Sequence, residues 1–211
     1  MDRSRKLKNL NLQILSGPQA QDHFDPLAAL RIEIFQDYPY LYQGSLDYEK
    51  KYLTRYLKEP HAIFVLVWDQ KNLVGAATGM PLINEEDFVQ KPFLKQNFNL
   101  SEYFYFGESL LKAAYRGRGL GHVFFDEREK WAHNLGYKKT CFCAVQRPSD
   151  HPMRPKNYRP QDEFWIKRGY APSKGLVGQF SWQDLDQKLE TDKPMQFWMS
   201  SQESKQIKSE E

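Results

Sequence analysis

Hydrophobic positions along the first half of the chain alternate between two rhythms. Leu12 to Leu15 predicts a short first strand. Asp25-Pro26 reads as an N-cap followed by proline at the first helical position. Leu27, Leu30, Ile34 and Phe35 then recur at helical spacing, predicting a helix to about Gln36. Asp37 to Gly44 has no period and holds Tyr38, Pro39, Tyr40 and Tyr42, a loop rich in aromatics. Ser45 is placed to cap a second helix on which Tyr48, Tyr52, Leu53 and Tyr56 share a face. His61 to Trp68 and Leu73 to Met80 flank the turn Asp69-Gln70-Lys71-Asn72 and predict a hairpin. Glu85 to Gln96 is polar, with a helix expected to break at Pro92.

The second half predicts a strand over Tyr103 to Lys112, a glycine-rich turn, and a helix from about Gly119 to Asn134 ended by Gly136. Thr140 to Val145 is apolar on both faces and is expected to be a central strand. Gln146 to Pro160 is a proline-rich loop. A helix follows from Pro160 or Gln161 to near Gly169, with strands over Leu176 to Trp182 and Met195 to Met199. No repeat and no linker divides the chain. One domain is expected over residues 12–200, with an N-terminal tail 1–11 and a disordered C-terminal tail 201–211.

Composition narrows the classes of function. With 211 residues, 27 % charged and 40 % hydrophobic, the chain suits a globular domain with its own core. A net charge of +3 is too small to indicate nucleic acid, and Arg3, Arg5, Lys6 and Lys8 read as a solvated tail. Cys141 and Cys143 are too few for a disulfide framework or a structural zinc site. They are expected as small core residues in a reducing, cytoplasmic compartment. No secretory signal or run of about 18 apolar residues points to a membrane. Monomer and homodimer both stay open.

The chemistry concentrates in Arg116-Gly117-Arg118-Gly119-Leu120-Gly121, between a strand and a helix. Glycine allows positive φ and close approach of a ligand. The first amides of a helix lack intrahelical acceptors and favour an anion, and the two arginines add positive charge. The turn suits a pyrophosphate. A P-loop would need Lys-Ser or Lys-Thr after the glycines, and none follows. A dinucleotide turn would need glycine or alanine where His122 stands, and an acidic residue where the next strand ends in Ala144-Val145-Gln146.

The third such pattern, Q/R-x-x-G-x-G/A, is matched in full by Arg116 to Gly121. Here the chain resembles the GCN5-related N-acetyltransferase superfamily. Phe106-Gly107-Glu108-Ser109-Leu110-Leu111 is similar to that superfamily's fourth strand. Trp131 to Tyr137 resembles its helix end, and Phe164 to Tyr170 its late aromatic–glycine segment. The resemblance covers roughly residues 12–200. It implies an α/β (α+β) fold, a mixed, mostly antiparallel central sheet of six to seven strands flanked by helices. It also implies an acetyl-CoA-dependent N-acyltransferase without a metal, whose acceptor is a small-molecule or peptide amine.

By the same resemblance, the amides of Arg116, Gly117, Arg118, Gly119, Leu120, Gly121 and His122 would wrap the pyrophosphate. Leu110, Leu111 and Lys112 would offer main-chain groups to the pantetheine arm as to an added strand. An amide near Leu110 or Leu111 would polarise the thioester carbonyl. Asn157 falls near an asparagine that contacts the arm. Glu108, a lone carboxylate in an apolar strand, is the candidate general base, against the alternative that it merely pairs with an arginine. Trp165 stands where the superfamily often has an acidic tyrosine, which leaves Tyr158 as a substitute donor. Tyr38, Tyr40 and Tyr42 would form an aromatic acceptor wall, or pack against the hairpin. Asp37 and Asp47 could attract a cationic amine. His133 is expected in solvent and His151 on a loop. An acyl-CoA sensor without turnover, and a nucleotide-binding oxidoreductase, are the competing readings.

Overall fold

The computed structural model describes residues 9–200. The basic run Arg3 to Lys8 and the tail 201–211 lie outside the described residues. Strand β1 (Leu10–Ser16) precedes helices α1 (Phe24–Phe35) and α2 (Leu46–Lys58). The hairpin β2 (Ile63–Asp69) and β3 (Asn72–Pro81) follows, then helix α3 (Asp87–Lys95) and strand β4 (Tyr103–Leu111). Helix α4 (Leu120–Asn134), strand β5 (Lys139–Val145), helix α5 (Asp162–Lys167) and the long hairpin β6 (Tyr170–Gln183) and β7 (Glu190–Ser200) complete the order.

The seven strands form one sheet in the order β1-β2-β3-β4-β5-β7-β6. Every pairing is antiparallel except β4 with β5. Alternation in β2 explains its unbroken apolar run. Phe64 and Leu66 face α1 and α2, packing with Leu27, Leu30, Leu53 and Leu57. Ile63, Val65 and Val67 face α4, packing with Leu120, Phe124 and Phe125. A strand covered on both faces has no polar side to show. Burying one such Leu or Phe contributes about 1.5–3 kcal/mol. A third cluster sets Val89 and Phe93 of α3 against Tyr103, Tyr105 and Phe197, and it encloses Cys141 and Cys143, both free.

Three local expectations need correction. Helix α1 begins at Phe24, after a 3-10 turn over Pro18–His23, so Asp25 and Pro26 lie in its first turn and Asp25 is not the cap. Proline is tolerated there because first-turn amides lack intrahelical acceptors. Helix α3 passes through Pro92 instead of breaking, with Val89 and Phe93 buried on either side of it. On α2, Ser45 caps as expected, its hydroxyl accepting from the Tyr48 amide at 3.3 Å. The buried face, however, carries Glu49 in place of Tyr48.

The sheet opens at its middle. The parallel β4–β5 pairing covers only Tyr103 to Tyr105 against Lys139 to Cys141. Beyond it, β3 holds β4 as far as Leu111, and β7 holds β5 as far as Val145. Two bridging pairs, Ala77 with Ser109 and Gly79 with Phe106, leave Thr78 opposite both Gly107 and Glu108. Such a bulge bends its strand and re-aims a side chain. Gly107 is required at this bend: a Cβ there would stand 2.4 Å from the Tyr56 hydroxyl.

Candidate active site

The glycine turn opens onto empty space. Gly117 and Gly119 have φ of 73° and 91°. A Cβ on either would meet no atom within 4 Å. Their backbone conformation, and not crowding, calls for glycine. The amides of His122 and Val123 already donate to the Gly119 carbonyl, at 3.0 and 3.3 Å. Those of Leu120 and Gly121 lie ahead of the first intrahelical acceptor. An anion over this turn would meet main-chain donors and the positive end of α4. Arg116 reaches Asp37 at 3.3 Å and the Leu111 carbonyl at 3.1 Å. Arg118 donates to the Ala114 carbonyl at 3.0 Å from an exposed position, and Leu120, buried in the core, offers its main chain only.

From the turn, a cleft of about 1280 Å³ runs between the parted strands. Its lining includes Leu111, Arg116, Gly117, Gly119, Gly121, His122, Asn157 and Tyr158. Lys112 departs from expectation. Its amide donates to the Val74 carbonyl at 3.0 Å, so that donor is taken, and its carbonyl accepts from the Tyr115 amide at 2.9 Å. Antiparallel alternation then turns the Leu110 amide toward β3 as well, and the amides of Leu111 and Ser109 toward the gap. The Leu110 side chain is buried under α1 and α2. Ser109 was not anticipated, because the bonding parity of a strand shows only once its partner is known.

Glu108, at the bulge, is among the residues that line the cleft and is not a lone carboxylate. Its Oε2 lies 2.7 Å from the Arg31 guanidinium and accepts from the Tyr52 hydroxyl at 3.0 Å. Arg31 also pairs with Glu49, and its guanidinium lies 3.9 Å from the Tyr52 ring centre. The second oxygen, Oε1, is buried with no hydrogen-bond partner among the described residues. Beneath Glu108, Arg128 donates to the carbonyls of Phe124, Thr78 and Glu108 and to the Ser109 hydroxyl. Burial pushes Arg128 down to about 10. Burial likewise raises the Tyr158 hydroxyl, so it stays protonated at neutral pH.

The aromatic loop forms one end of the cleft, with Tyr38 and Tyr40 among its lining. The Tyr158 ring meets Tyr38 edge-on at 4.7 Å. Tyr42 does not line the cleft. It bridges to Asp184 and packs against Phe35 and Tyr48, because its amide is drawn to the Phe35 carbonyl at 2.8 Å. Arg147 holds the loop in place, donating to the carbonyls of Pro39 and Tyr40 at 2.8 and 2.7 Å. Its guanidinium is itself fixed by both oxygens of the buried Asp184, at 2.7 and 2.8 Å. Trp165 packs between Phe142 and Trp198, at 5.1 and 5.0 Å. Asp47 and His133 are exposed away from the cleft, and His151 contacts Tyr38 from outside its lining. Among the described residues, no group of three or more His, Cys, Asp or Glu is placed to hold a metal, and no helix is long and apolar enough to cross a membrane.

Comparison with solved structures shows the same fold. An N-acetyltransferase from Staphylococcus aureus Mu50 aligns over 92 % of this chain and 99 % of its own, at 10 % identity and a TM-score of 0.57. An acyl-CoA N-acyltransferase from Pseudomonas aeruginosa aligns over 91 % and 99 %, at 13 % identity and 0.54. The PaiA N-acetyltransferase from Thermoplasma acidophilum, in complex with coenzyme A, aligns over 91 % and 98 %, at 13 % identity and 0.50. Comparison with curated proteins gives no match. The sequence profile of the acetyltransferase (GNAT) family matches residues 27–155, more than half of the sequence, and the chain belongs to that family.

Proposed function

We propose that the protein transfers an acetyl group from acetyl-CoA to a primary amine by direct attack within a ternary complex. The carrying observation is the parting of β4 from β5 into a cleft that ends on the open glycine turn. An extended pantetheine arm fits the unpaired edge of β4, with the pyrophosphate over the amides of residues 116–121. The T. acidophilum neighbour was solved with coenzyme A, which accords with this assignment.

The amine enters at the Tyr38–Tyr40 end. An ammonium has no lone pair, so a proton must leave before attack. Glu108 lines the cleft and takes that proton on Oε1, which is buried and has no hydrogen-bond partner among the described residues. The neutral nitrogen attacks the thioester carbonyl, whose developing negative charge is met by the Leu111 or Ser109 amide. Collapse expels the CoA thiolate: Tyr158, within the cleft, gives it a proton and takes the second proton of the former amine nitrogen, which leaves a neutral amide, a thiol and the phenol restored; the indole N–H of Trp165 does not supply a proton.

The test is CoA release from acetyl-CoA with a panel of primary amines. Glu108→Gln is expected to lower turnover by about 10²–10⁴ while acetyl-CoA still binds. Undiminished turnover in that variant removes Glu108 from the reaction. No release by the native protein with any amine counts against transfer itself.

A further inference from the structure

Glu108 lies at one end of a buried chain of polar groups that leads away from the cleft. Its Oε2 accepts from Tyr52 at 3.0 Å. The Tyr52 and Tyr56 hydroxyl oxygens are 3.3 Å apart, and Tyr56 donates to Glu85. Glu85 pairs with Arg55 at 3.1 Å, and Arg55 also pairs with Glu86, which is exposed. Tyr52 and Tyr56 are one helical turn apart on α2, which sets their hydroxyls side by side. Gly107 leaves the room that the Tyr56 hydroxyl fills.

The buried carboxylates are Glu49, Glu85 and Glu108, against the guanidinium groups of Arg31 and Arg55. With the Arg128 guanidinium below Glu108, three carboxylates face three guanidinium groups. Other groups facing the cluster are Arg128 below Glu108, Tyr42 and Tyr48 beside Glu49, and Tyr105 near Tyr56. None of these adds a cation except Arg128, whose donors are bound to carbonyls and to Ser109.

We propose that the proton Glu108 takes from the amine leaves the cleft through the Tyr52 and Tyr56 hydroxyls to Glu85. This rests on Glu108 acting as the base. In the resting state Tyr52 donates to Glu108 and Tyr56 donates to Glu85, so no hydrogen lies between the two phenols. Once Glu108 is protonated, a half-turn of its carboxyl lets it donate to Tyr52, and the Tyr52 hydroxyl swings toward Tyr56. Three proton shifts follow, from Glu108 to Tyr52, from Tyr52 to Tyr56 and from Tyr56 to Glu85. Both phenols are restored, Glu108 is again a carboxylate, and Glu85 becomes a neutral acid, which holds the proton until it exchanges with solvent on the side of the part-exposed Arg55. Burial raises Glu85 above the ordinary carboxylate range, in keeping with a transient acceptor. Both tyrosines act through Glu108, as relay groups that never touch the substrate.

The experiment measures CoA release from acetyl-CoA and tyramine, or the fastest amine of the panel, in Tyr52→Phe, Tyr56→Phe and Glu108→Gln, with and without imidazole. Each variant is first required to show the native shift in melting temperature with CoA. If Tyr56→Phe does not fold, the half-buried Tyr52→Phe carries the test. The relay predicts roughly tenfold lower kcat in the tyrosine variants, an unchanged KM for acetyl-CoA, and recovery as imidazole rises. Imidazole entering the cleft removes the stranded proton, which a merely structural loss would not allow. Native kcat in both tyrosine variants, or a loss that imidazole does not restore, overturns the relay. If Glu108→Gln alone loses turnover, Glu108 stands as base and only the relay falls. If Glu108→Gln is fully active, or the native protein is inactive with every amine, the relay falls together with the base.

Discussion

A side chain at Gly119 would meet no protein atom, so what it would meet is whatever occupies the space over the turn. Gly136, at the other end of α4, has nearly the same φ, 88°, and the same open surroundings. Gly119→Val and Gly136→Val should each lose about 1–2 kcal/mol to left-handed strain. Only the first should lose stabilisation by CoA, as thermal denaturation with and without ligand will show. A second residue-scale expectation concerns pH. Glu85 is raised from 4.5 by burial, so the folded state binds more protons than the unfolded one above that value. Its contribution to stability is then lost as pH rises from 4.5 through the folded value. Over that window the native protein should lose stability relative to Glu85→Gln, in melting curves taken across pH. The turn was readable from sequence because its glycines and helix start are consecutive. Arg31 as the partner of Glu108 was not, since the two meet only when α1 packs on β4. Burial of Glu49 in place of Tyr48 has the same cause: a charged residue enters a core when a distant partner is there to receive it.

Elements matter here chiefly through what clamps them. The aromatic loop between α1 and α2 has no regular structure, yet Arg147, Trp182 and the main chain of Gln183 all bind it. Arg147→Met should destabilise the fold by about 3 kcal/mol, since Asp184 is then left with Lys193 at 3.5 Å as its remaining cation. The released loop should raise KM for the amine while acetyl-CoA affinity is kept, a split that steady-state kinetics resolves. Sequence patterning found the strands and helices where periodicity was long and both faces were covered, as in β2 and α4. It places the start of α1 two residues late, because the 3-10 turn before Phe24 carries no cap signal, and it breaks α3 at Pro92, where packing of Val89 and Phe93 decides the outcome. The clamp on the loop left no signature, since Arg147 sits within a proline-rich segment and its own partners, Pro39, Tyr40 and Asp184, all lie far along the chain.

Across the whole molecule, one departure from regular pairing creates the cleft. Because β3 and β7 each keep hold of their neighbour, the parallel strands between them separate beyond Tyr105 and Cys141 without unravelling the sheet. The glycine turn, the aromatic loop and the bulge carrying Glu108 all line the gap, and Arg116 of the turn reaches Asp37 of the loop at 3.3 Å. The most direct test of this arrangement is a thermal-shift titration with acetyl-CoA, CoA and NAD side by side. A ligand at a hundred times its dissociation constant stabilises the folded state by about 2.7 kcal/mol. Acetyl-CoA and CoA should raise the melting temperature and NAD should not. No shift with either CoA species, or a larger one with NAD, would contradict the assignment of the cleft to the acyl donor.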